Sequence, residues 1–363
     1  MSLFAPVALG DLHLANRMVM APLSRARADA TSREALDRMA IYYGQRASAG
    51  LIVSEATHVS PYSVSRPGGA AIHSEAQMDS WRQVTRAVHE RGGLIVQQIY
   101  HVGRKAATEQ LPRGASPLAP SAICAGGEVM TPVGKRKFSV PREIETHEIP
   151  GIVAEFQKAA RFAVRAGFDG VEIHAANGYL IDQFLRSATN HRIDQYGGVI
   201  ERRARFLLEV VDAVASVVGK GRVGVRLSPA PMDDGTHDSD PTALFSYVAH
   251  ALGVRQIAYL HLVEDVSLNA SDRLSLALKR AFGGPLILCG GFTRANALDA
   301  IEAGLADCIA FGTLYVGNPD LVERFRAGAP LNRLRPEFYR EGGDEGYIDY
   351  PFLSESNLFV NKP

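Results

Sequence analysis

The stretch that decides the fold reads VEIHAANGYLIDQFLRSATNHRIDQYGG and occupies residues 171–198. Val171, Glu172 and Ile173 follow the turn sequence of residues 167–170, and a short β-branched run after a turn predicts a buried strand. Hydrogen-bonding side chains follow this strand at once: His174, Asn177 and Tyr179. In a parallel α/β fold, the carboxyl ends of strands carry the active site, so these side chains are candidates for substrate contact. Ordinary turn chemistry is the alternative, because Asn before Gly is common in turns.

The composition points to a small-molecule partner. Lys plus Arg and Asp plus Glu both number 39 in the 363 residues, so the charge balance favours neither a nucleic-acid surface nor a polybasic membrane patch. No apolar run approaches the roughly 20 residues that span a bilayer, and the first residues lack a basic leader with an apolar core. We therefore expect a cytoplasmic protein, monomeric or homodimeric, that binds neither nucleic acid nor membrane.

The three cysteines do not indicate a metal site or a disulfide scaffold. They are too few and too dispersed, and none belongs to a C-x-x-C pattern. Cys289 and Cys308 lie in apolar strand-like runs, where a buried small hydrophobe is the expected role. Cys124 lies in a loop and carries no signal. No bound metal is predicted.

Strand-like and helical segments alternate along the chain after a small hairpin at residues 7–14. The predicted strands are residues 18–22, 51–56, 94–99, the run from 171, and residues 222–227, 256–262, 285–289 and 307–311. The predicted helices are residues 33–48, 74–91, 145–166, 200–218, 241–252, 271–282, 294–303 and 319–326. Eight such pairs with short connections predict a closed (β/α)8 TIM barrel, one domain over residues 1–363. A dinucleotide-binding fold is disfavoured, because the first strand is followed by APLSR and not by a glycine-rich fingerprint.

One long excursion interrupts the alternation after the third strand. Residues 101–143 contain several Pro and Gly and a basic segment at residues 135–137. Such a long insertion in a compact fold predicts a lid over the barrel mouth. The basic segment is also typical of a solvated surface.

Glycines follow the last two predicted strands. Gly290 and Gly291 end the seventh strand and Gly312 ends the eighth. Barrels of this kind commonly bind phosphate on the backbone of these two loops, and glycine lets an anion approach. A phosphorylated ligand is therefore expected, although glycine also ends many strands without binding anything.

Motifs in this order resemble the old yellow enzyme family of FMN-dependent ene-reductases, which are (β/α)8 barrels. The motifs are APLSR at 21–25, SEAT at 54–57, QIYHVGR at 98–104, HAANGY at 174–179, NHRIDQYGG at 190–198, VRLS at 225–228, GGFT at 290–293, FG at 311–312, NPDL at 318–321 and EGYIDYP at 345–351. They span almost the entire chain.

The resemblance implies a tightly bound FMN at the barrel mouth. It places the backbone around Pro22, Leu23 and Ala56 along the flavin ring. It also implies that Gln98 and Arg226 donate hydrogen bonds to the polar edge of the flavin near N1 and C2. A cation near N1 stabilises the anionic reduced flavin, although an Arg there could instead pair with an acidic neighbour. The resemblance places the Ser24 hydroxyl at flavin O4. It places the FMN phosphate in the two loops that contain Gly290, Gly291, Gly312 and Thr313.

The resemblance also implies the reaction. NADPH or NADH reduces FMN, and hydride then passes from FMN N5 to the β-carbon of an activated alkene in a ping-pong cycle. His174 and Asn177 would donate hydrogen bonds to the carbonyl oxygen, where charge develops, and Tyr179 would protonate the α-carbon. Tyr100 and Tyr339 would border the substrate, although Phe338–Tyr339 could equally be ordinary packing.

Three positions depart from the family pattern. Ser24 stands where many relatives have Thr, and Tyr100 replaces a common Trp. Thr313 replaces the usual Arg after Phe-Gly, and a neutral hydroxyl cannot supply the charge of a guanidinium; Arg294 is the candidate replacement. The alternatives to an ene-reductase are a flavin-dependent isomerase or synthase of specialised metabolism, and a flavin-free phosphate-binding barrel.

Overall fold

Eight parallel strands close into a barrel in the computed structural model, which describes residues 2–269 and 273–354. In chain order they are β1 (Met18–Met20), β2 (Leu51–Val53), β3 (Ile95–Tyr100), β4 (Gly170–His174), β5 (Val223–Leu227), β6 (Tyr259–Val263), β7 (Leu286–Cys289) and β8 (Cys308–Phe311). Each strand pairs with the next, and β8 returns to β1 through the pairs Ile309 with Met18 and Phe311 with Met20. The predicted TIM barrel is confirmed.

The barrel helices surround these strands. They are α1 (Asp37–Gln45), α2 (Glu75–His89), α3 (Ile149–Ala166), α4 (Ile200–Val218), α5 (Pro241–Val254), α6 (Ser275–Phe282), α7 (Arg294–Glu302) and α8 (Leu321–Ala327). Their apolar faces pack on the outside of the barrel in one large buried cluster, for which Phe156 of α3 and Phe206 of α4 are examples. Removing such apolar faces from water is the main stabilising contribution in a fold of this type.

The N-terminal hairpin closes the barrel at the amino ends of the strands. Its strands Val7–Leu9 and Leu12–Leu14 are antiparallel, as predicted. Leu9, Leu12 and Leu14 are buried in one cluster with inward-facing residues of the barrel strands. Gly10 makes this possible, because a Cβ at that position would lie 2.4 Å from the carbonyl oxygen of Gly221. The opposite end, where the strands finish, is left for a site.

Several helix boundaries differ from the prediction. The first helix begins at Asp37 and not near residue 33, because Arg33 has a left-handed φ of 62° and Leu36 is extended. The third begins at Ile149 after a 3-10 turn at Thr146–Glu148. The predicted start of the sixth helix at Ser271 lies outside the described residues. Two short helices in the loops after β4 and β8 were not predicted: Leu180–Leu185 and Thr313–Gly317.

The excursion after β3 is confirmed and contains its own hairpin. Strands Glu128–Thr131 and Gly134–Lys137 pair antiparallel, and the second strand is fully exposed. At its inner edge the excursion contacts the loop after β5, where the backbone N–H of Gly126 donates to the carbonyl oxygen of Asp234 at 3.2 Å. The excursion therefore borders the carboxyl ends of the strands. Across residues 2–269 and 273–354, none of the helices has the length and apolar character needed to cross a bilayer.

Candidate active site

A cavity of about 730 Å³ opens at the carboxyl ends of β1, β7 and β8. Most of the predicted cofactor-binding residues line it: Pro22, Leu23, Arg226, Gly290, Gly291, Gly312 and Thr313. Ser24 instead borders a neighbouring cavity of about 440 Å³, and Leu23 and Thr313 border both. Ala56 and Gln98 line neither; they lie buried beyond β2 and within β3. Seven of the ten predicted cofactor-binding residues therefore border one cavity, and Ser24 borders the adjoining one.

The loop after β7 approaches the residues that follow β6 so closely that only glycine fits at the point of contact. Gly290 has a φ of 151°, and a Cβ there would lie 2.0 Å from the carbonyl oxygen of Glu264. Gly291 is also left-handed, with a φ of 82°. A Cβ on Gly312 would make only an ordinary 3.4 Å contact with Leu23. Gly290 is thus required by the backbone, whereas Gly312 keeps the cavity open.

Three arginines border the larger cavity, and Arg294 is the exposed one among them that keeps donors for an anion. Arg324 is buried and fully occupied by Asp320 and the carbonyl oxygens of Pro330 and Pro351. Arg294, the first residue of α7, is exposed, and its Nε donates to the carbonyl oxygen of Phe325 at 2.6 Å. This bond fixes the Arg294 side chain across the cavity edge while its two terminal nitrogens make no hydrogen bond among the described residues. The amino end of α7 beside it favours an anion as well.

Arg226 projects from β5 into the other end of the same cavity. Its Nη2 contacts the Cys289 sulfur at 3.6 Å, and its Nε is buried without a partner among the described residues. A buried donor without an acceptor costs about 1–3 kcal/mol, so this atom fits a ligand carbonyl or ring nitrogen. Arg226 forms no ion pair within the described chain, although its charge helps to lower the pKa of the buried Glu172.

A polar network that the sequence interpretation missed lies inside the barrel beneath Arg226. The Gln98 amide nitrogen donates to one oxygen of Glu172 at 2.7 Å, and His261 Nδ1 lies 2.9 Å from the other. Burial is the largest single influence and would raise the pKa of Glu172, but His261, Arg226 and Gln98 together outweigh it and hold this pKa below its usual range. Burial would likewise lower the pKa of His261, but Glu172 keeps it raised. The signal was present: polar residues inside the apolar runs VEIH and YLHLV.

Cys289 borders the cavity and corrects one prediction. Cys308 is fully buried in the inner barrel cluster, as expected, but Cys289 is only half-buried and lies beside Arg226. Burial raises the pKa of the Cys289 thiol, whereas the neighbouring His261 and the charge of Arg226 lower it, and the net direction is downward. Cys289 is therefore part of the polar floor of the cavity and not a plain hydrophobe.

His174 lies at the carboxyl end of β4 among aromatic rings. Its ring centroid is 5.0 Å from that of Tyr179 in an edge-to-face arrangement and 5.9 Å from that of Tyr100. Its Nδ1 is buried without a partner in the described chain. Burial lowers the pKa of His174 well below its usual value, and Arg226 and His261 lower it further. The imidazole is therefore neutral at pH 7, with one N–H available as a donor.

A left-handed turn places Asn177 and Tyr179. Asn177 has a φ of 59°, which Asn tolerates better than most residues. Its backbone N–H donates to the Ser228 hydroxyl at 2.7 Å, and its carbonyl oxygen accepts from Lys105 Nζ at 2.7 Å. The turn is therefore held by the backbone atoms of Asn177, and these hydrogen bonds do not use its side chain.

Tyr179 is half-buried and protonated at neutral pH. Burial raises the pKa of its phenol above the usual value, although the cations Arg66 and Arg340 act in the opposite direction. Tyr100 packs edge-to-face on it at 5.0 Å and is held by a hydrogen bond from its own hydroxyl to Ser65 Oγ at 2.9 Å. Tyr100 is therefore a fixed wall beside Tyr179.

The two tail aromatics have different environments. Tyr339 is half-buried and borders the smaller cavity with Ser24. Phe338 packs within the tail itself, where a Cβ on Gly346 would lie 2.3 Å from the Phe338 Cβ. Of the pair, Tyr339 is the one positioned to reach a ligand.

Residues 2–332 match the model of the NADH:flavin oxidoreductase / NADH oxidase family. The chain belongs to this family, the old yellow enzyme family. It is thus an oxidoreductase of a flavin-dependent family, and the resemblance drawn from the motifs is confirmed.

Relatives of this old yellow enzyme family member cover nearly its full length. A probable flavin mononucleotide-dependent alkene reductase of Leishmania infantum is 41% identical, covering 96% of each chain. Morphinone reductase, solved in complex with tetrahydroNAD, is 46% identical with a TM-score of 0.93, covering 97% of this chain and 98% of that one. An old yellow enzyme homologue from Zymomonas mobilis is 43% identical with a TM-score of 0.94, covering 97% and 100%.

Proposed function

We propose that the chain is an FMN-dependent ene-reductase that reduces the C=C bond of α,β-unsaturated carbonyl or nitro compounds with NADPH or NADH. The observation that carries this is the neutral, unpartnered His174 imidazole beside the protonated Tyr179 phenol at the carboxyl end of β4. The relative described as an alkene reductase and the neighbour solved with tetrahydroNAD support the two substrates.

The residues present fit FMN. The glycine-bordered cavity suits a phosphorylated chain, and the buried, unpartnered Arg226 Nε offers a donor to a flavin oxygen or nitrogen. Bound FMN would supply the hydride acceptor and donor of the reaction. The residues proposed to hold it are Pro22, Leu23, Ser24, Ala56, Gln98, Arg226, Gly290, Gly291, Gly312 and Thr313.

The chain's own side chains would bind and protonate the alkene. His174 and Asn177 would donate to the carbonyl or nitro oxygen, and their hydrogen bonds strengthen as negative charge develops there. Tyr179 would deliver its phenolic proton to the α-carbon. Tyr100 and Tyr339 would shape the walls around the alkene.

We further propose that the described residues form one FMN-binding domain, in which residues 101–143 act as a lid. The hydrogen bond between Gly126 and Asp234 supports this, because the Asp234 carboxylate pairs with Lys105, which bonds the Asn177 backbone. The excursion is thereby linked to the turn that carries the catalytic side chains.

The test is turnover of FMN-loaded protein under anaerobic conditions. With NADPH or NADH and 2-cyclohexenone or a nitroalkene, we expect one nucleotide oxidised per saturated product formed. Product that is isomerised without nucleotide consumption would instead indicate a flavin-dependent isomerase or synthase. Protein that is colourless and takes up no added FMN would indicate a flavin-free phosphate-binding barrel.

Arg294→Gln is expected to weaken FMN binding by roughly 10- to 100-fold, since a charge-assisted bond to phosphate contributes about 1.5–3 kcal/mol. Thr313 supplies no charge, and Arg294 is the exposed cation that Phe325 fixes at the cavity edge. The dissociation constant follows from fluorescence quenching when FMN is added to apoprotein. Arg280→Gln, an exposed arginine on α6, is the matched control. A value for Arg294→Gln within twofold of wild type would exclude Arg294 as the phosphate ligand.

A further inference from the structure

Lys105 contacts the turn that carries the proposed proton donor. Its Nζ donates to the Asn177 carbonyl oxygen at 2.7 Å and lies 5.4 Å from the centroid of the Tyr179 ring. The second distance is within the range of about 6 Å over which a cation is attracted to an aromatic face. One ammonium group therefore contacts both the backbone that leads into Tyr179 and the ring of Tyr179 itself.

The turn has a conformation that its neighbours must hold. Asn177 and Gly178 are both left-handed, with φ of 59° and 69°. A residue other than glycine persists in this region only where the surrounding structure fixes it. A Cβ on the glycine would lie 2.8 Å from Thr236 Oγ1 and 2.9 Å from both Asp234 Oδ2 and Lys105 Nζ. The side chains of these three residues are thus packed directly against the turn.

Asp234 holds the Lys105 ammonium in place. Its carboxylate forms an ion pair with Lys105 and accepts the Thr236 backbone N–H at 3.0 Å. Its backbone carbonyl oxygen accepts from Arg104 Nη2 at 3.0 Å and from the Gly126 N–H at 3.2 Å. Burial raises the pKa of the Asp234 carboxyl, but Lys105 and Thr236 outweigh burial and hold this pKa below its usual value. The carboxylate is therefore charged at neutral pH and anchored at both its side chain and its backbone.

We propose that Lys105 is a positioning residue for proton transfer: with Asp234, it holds the turn so that the Tyr179 phenol faces one side of the α-carbon. This role rests on the proposed ene-reductase function. The Asn177 N–H is also held by the Ser228 hydroxyl, so loss of Lys105 should displace the phenol more than the Asn177 side chain. A displacement of about 1 Å can cost roughly 100-fold in rate.

Lys105→Met tests this role, because it removes the ammonium and keeps a side chain of similar length. With 2-methyl-2-cyclohexenone as the alkene, protonation makes the α-carbon of the product a stereocentre. We expect the alkene half-reaction to slow by roughly 10- to 100-fold, as for loss of a charge-assisted bond. The enantiomeric excess of product sampled at early times should also fall, because water would then protonate either face. Reduction of FMN by NADPH and the affinity for FMN should stay within about twofold of wild type.

Two further variants separate the contact from the charge of its anchor. Asp234→Asn releases the ammonium and should cause the same two losses, and it decides the question if Lys105→Met does not retain FMN. The double variant should be no more impaired than Lys105→Met, because both residues act through one contact. A double variant that regains the wild-type rate would show that the unpaired Asp234 charge caused the loss, and the positioning role would be wrong.

A background without the proton donor gives a third measurement. In Tyr179→Phe, the addition of Lys105→Met should cost no more than about threefold in the alkene half-reaction, because the group that Lys105 positions is absent. Lys158→Met is the matched control and should behave as wild type. Lys158 is an exposed lysine of α3 whose Nζ lies 5.3 Å from the centroid of the Phe162 ring.

The remaining outcomes overturn the role in distinguishable ways. If wild type reduces the alkene and Lys105→Met matches it in rate and enantiomeric excess, the positioning role is wrong and the proposed function stands. If Lys105→Met slows FMN reduction and alkene reduction equally, Lys105 supports the whole site and not proton transfer. If wild type reduces no alkene, the proposed function itself fails, and this role fails with it.

Discussion

Tyr179→Phe is expected to slow alkene reduction by roughly 10²- to 10⁴-fold, the usual contribution of a positioned general acid. The variant keeps the ring that packs against His174 and Tyr100 and removes only the proton donor. Reduction of the enzyme by NADPH needs no proton from Tyr179 and should stay near the wild-type rate. Stopped-flow measurement of the two half-reactions separates these effects, and Tyr62→Phe, an exposed tyrosine, is the control.

The pH dependence of the same step has a definite sign. Burial raises the pKa of the Tyr179 phenol, so the donor keeps its proton through neutral and mildly alkaline pH. The wild-type rate of the alkene half-reaction should therefore be flat across this range and fall only above the ordinary tyrosine pKa. The fall should be absent in Tyr179→Phe. Unchanged turnover of this variant on every alkene tested would remove Tyr179 from the mechanism.

The barrel and its mouth were predictable because their signals are local. Each strand is a short apolar run bounded by turn residues, and the glycine at position 290 marks a backbone approach that no side chain allows. The closeness of His174, Asn177 and Tyr179 was predictable for the same reason, since the end of β4 and the turn directly after it carry all three side chains.

Contacts between distant segments could not be predicted in the same way. Gln98, Glu172 and His261 lie on three different strands, and only barrel closure brings them together. Boundaries also failed where one backbone angle decides, as at Arg33, because a left-handed residue that is not Gly has a weak sequence signature.

Replacing His174 or Asn177, the two proposed donors to the substrate carbonyl, should also slow alkene reduction strongly. The affected step is the one in which negative charge develops on the carbonyl oxygen, and not the protonation of the α-carbon. His174→Phe keeps an aromatic ring beside Tyr179 but has no N–H, and loss of one such donor typically costs roughly 10²- to 10³-fold in rate. For Asn177 the choice of variant matters, because its φ of 59° would strain an alanine. Asn177→Gly removes the amide without that strain, and Asn177→Asp keeps the shape while replacing a donor by an acceptor.

The pattern across these variants distinguishes donors from packing residues. If both side chains bind the developing charge, Asn177→Asp should be at least as impaired as Asn177→Gly, because a carboxylate repels the charge that the amide would stabilise. The loss should appear in kcat/KM for the alkene with the saturated product formed in the same stereochemical sense. The double variant should lose less than the product of the two single losses, since donors to one oxygen act as a unit. Turnover of His174→Phe and Asn177→Gly within a few-fold of wild type would show instead that the carbonyl binds elsewhere in the site.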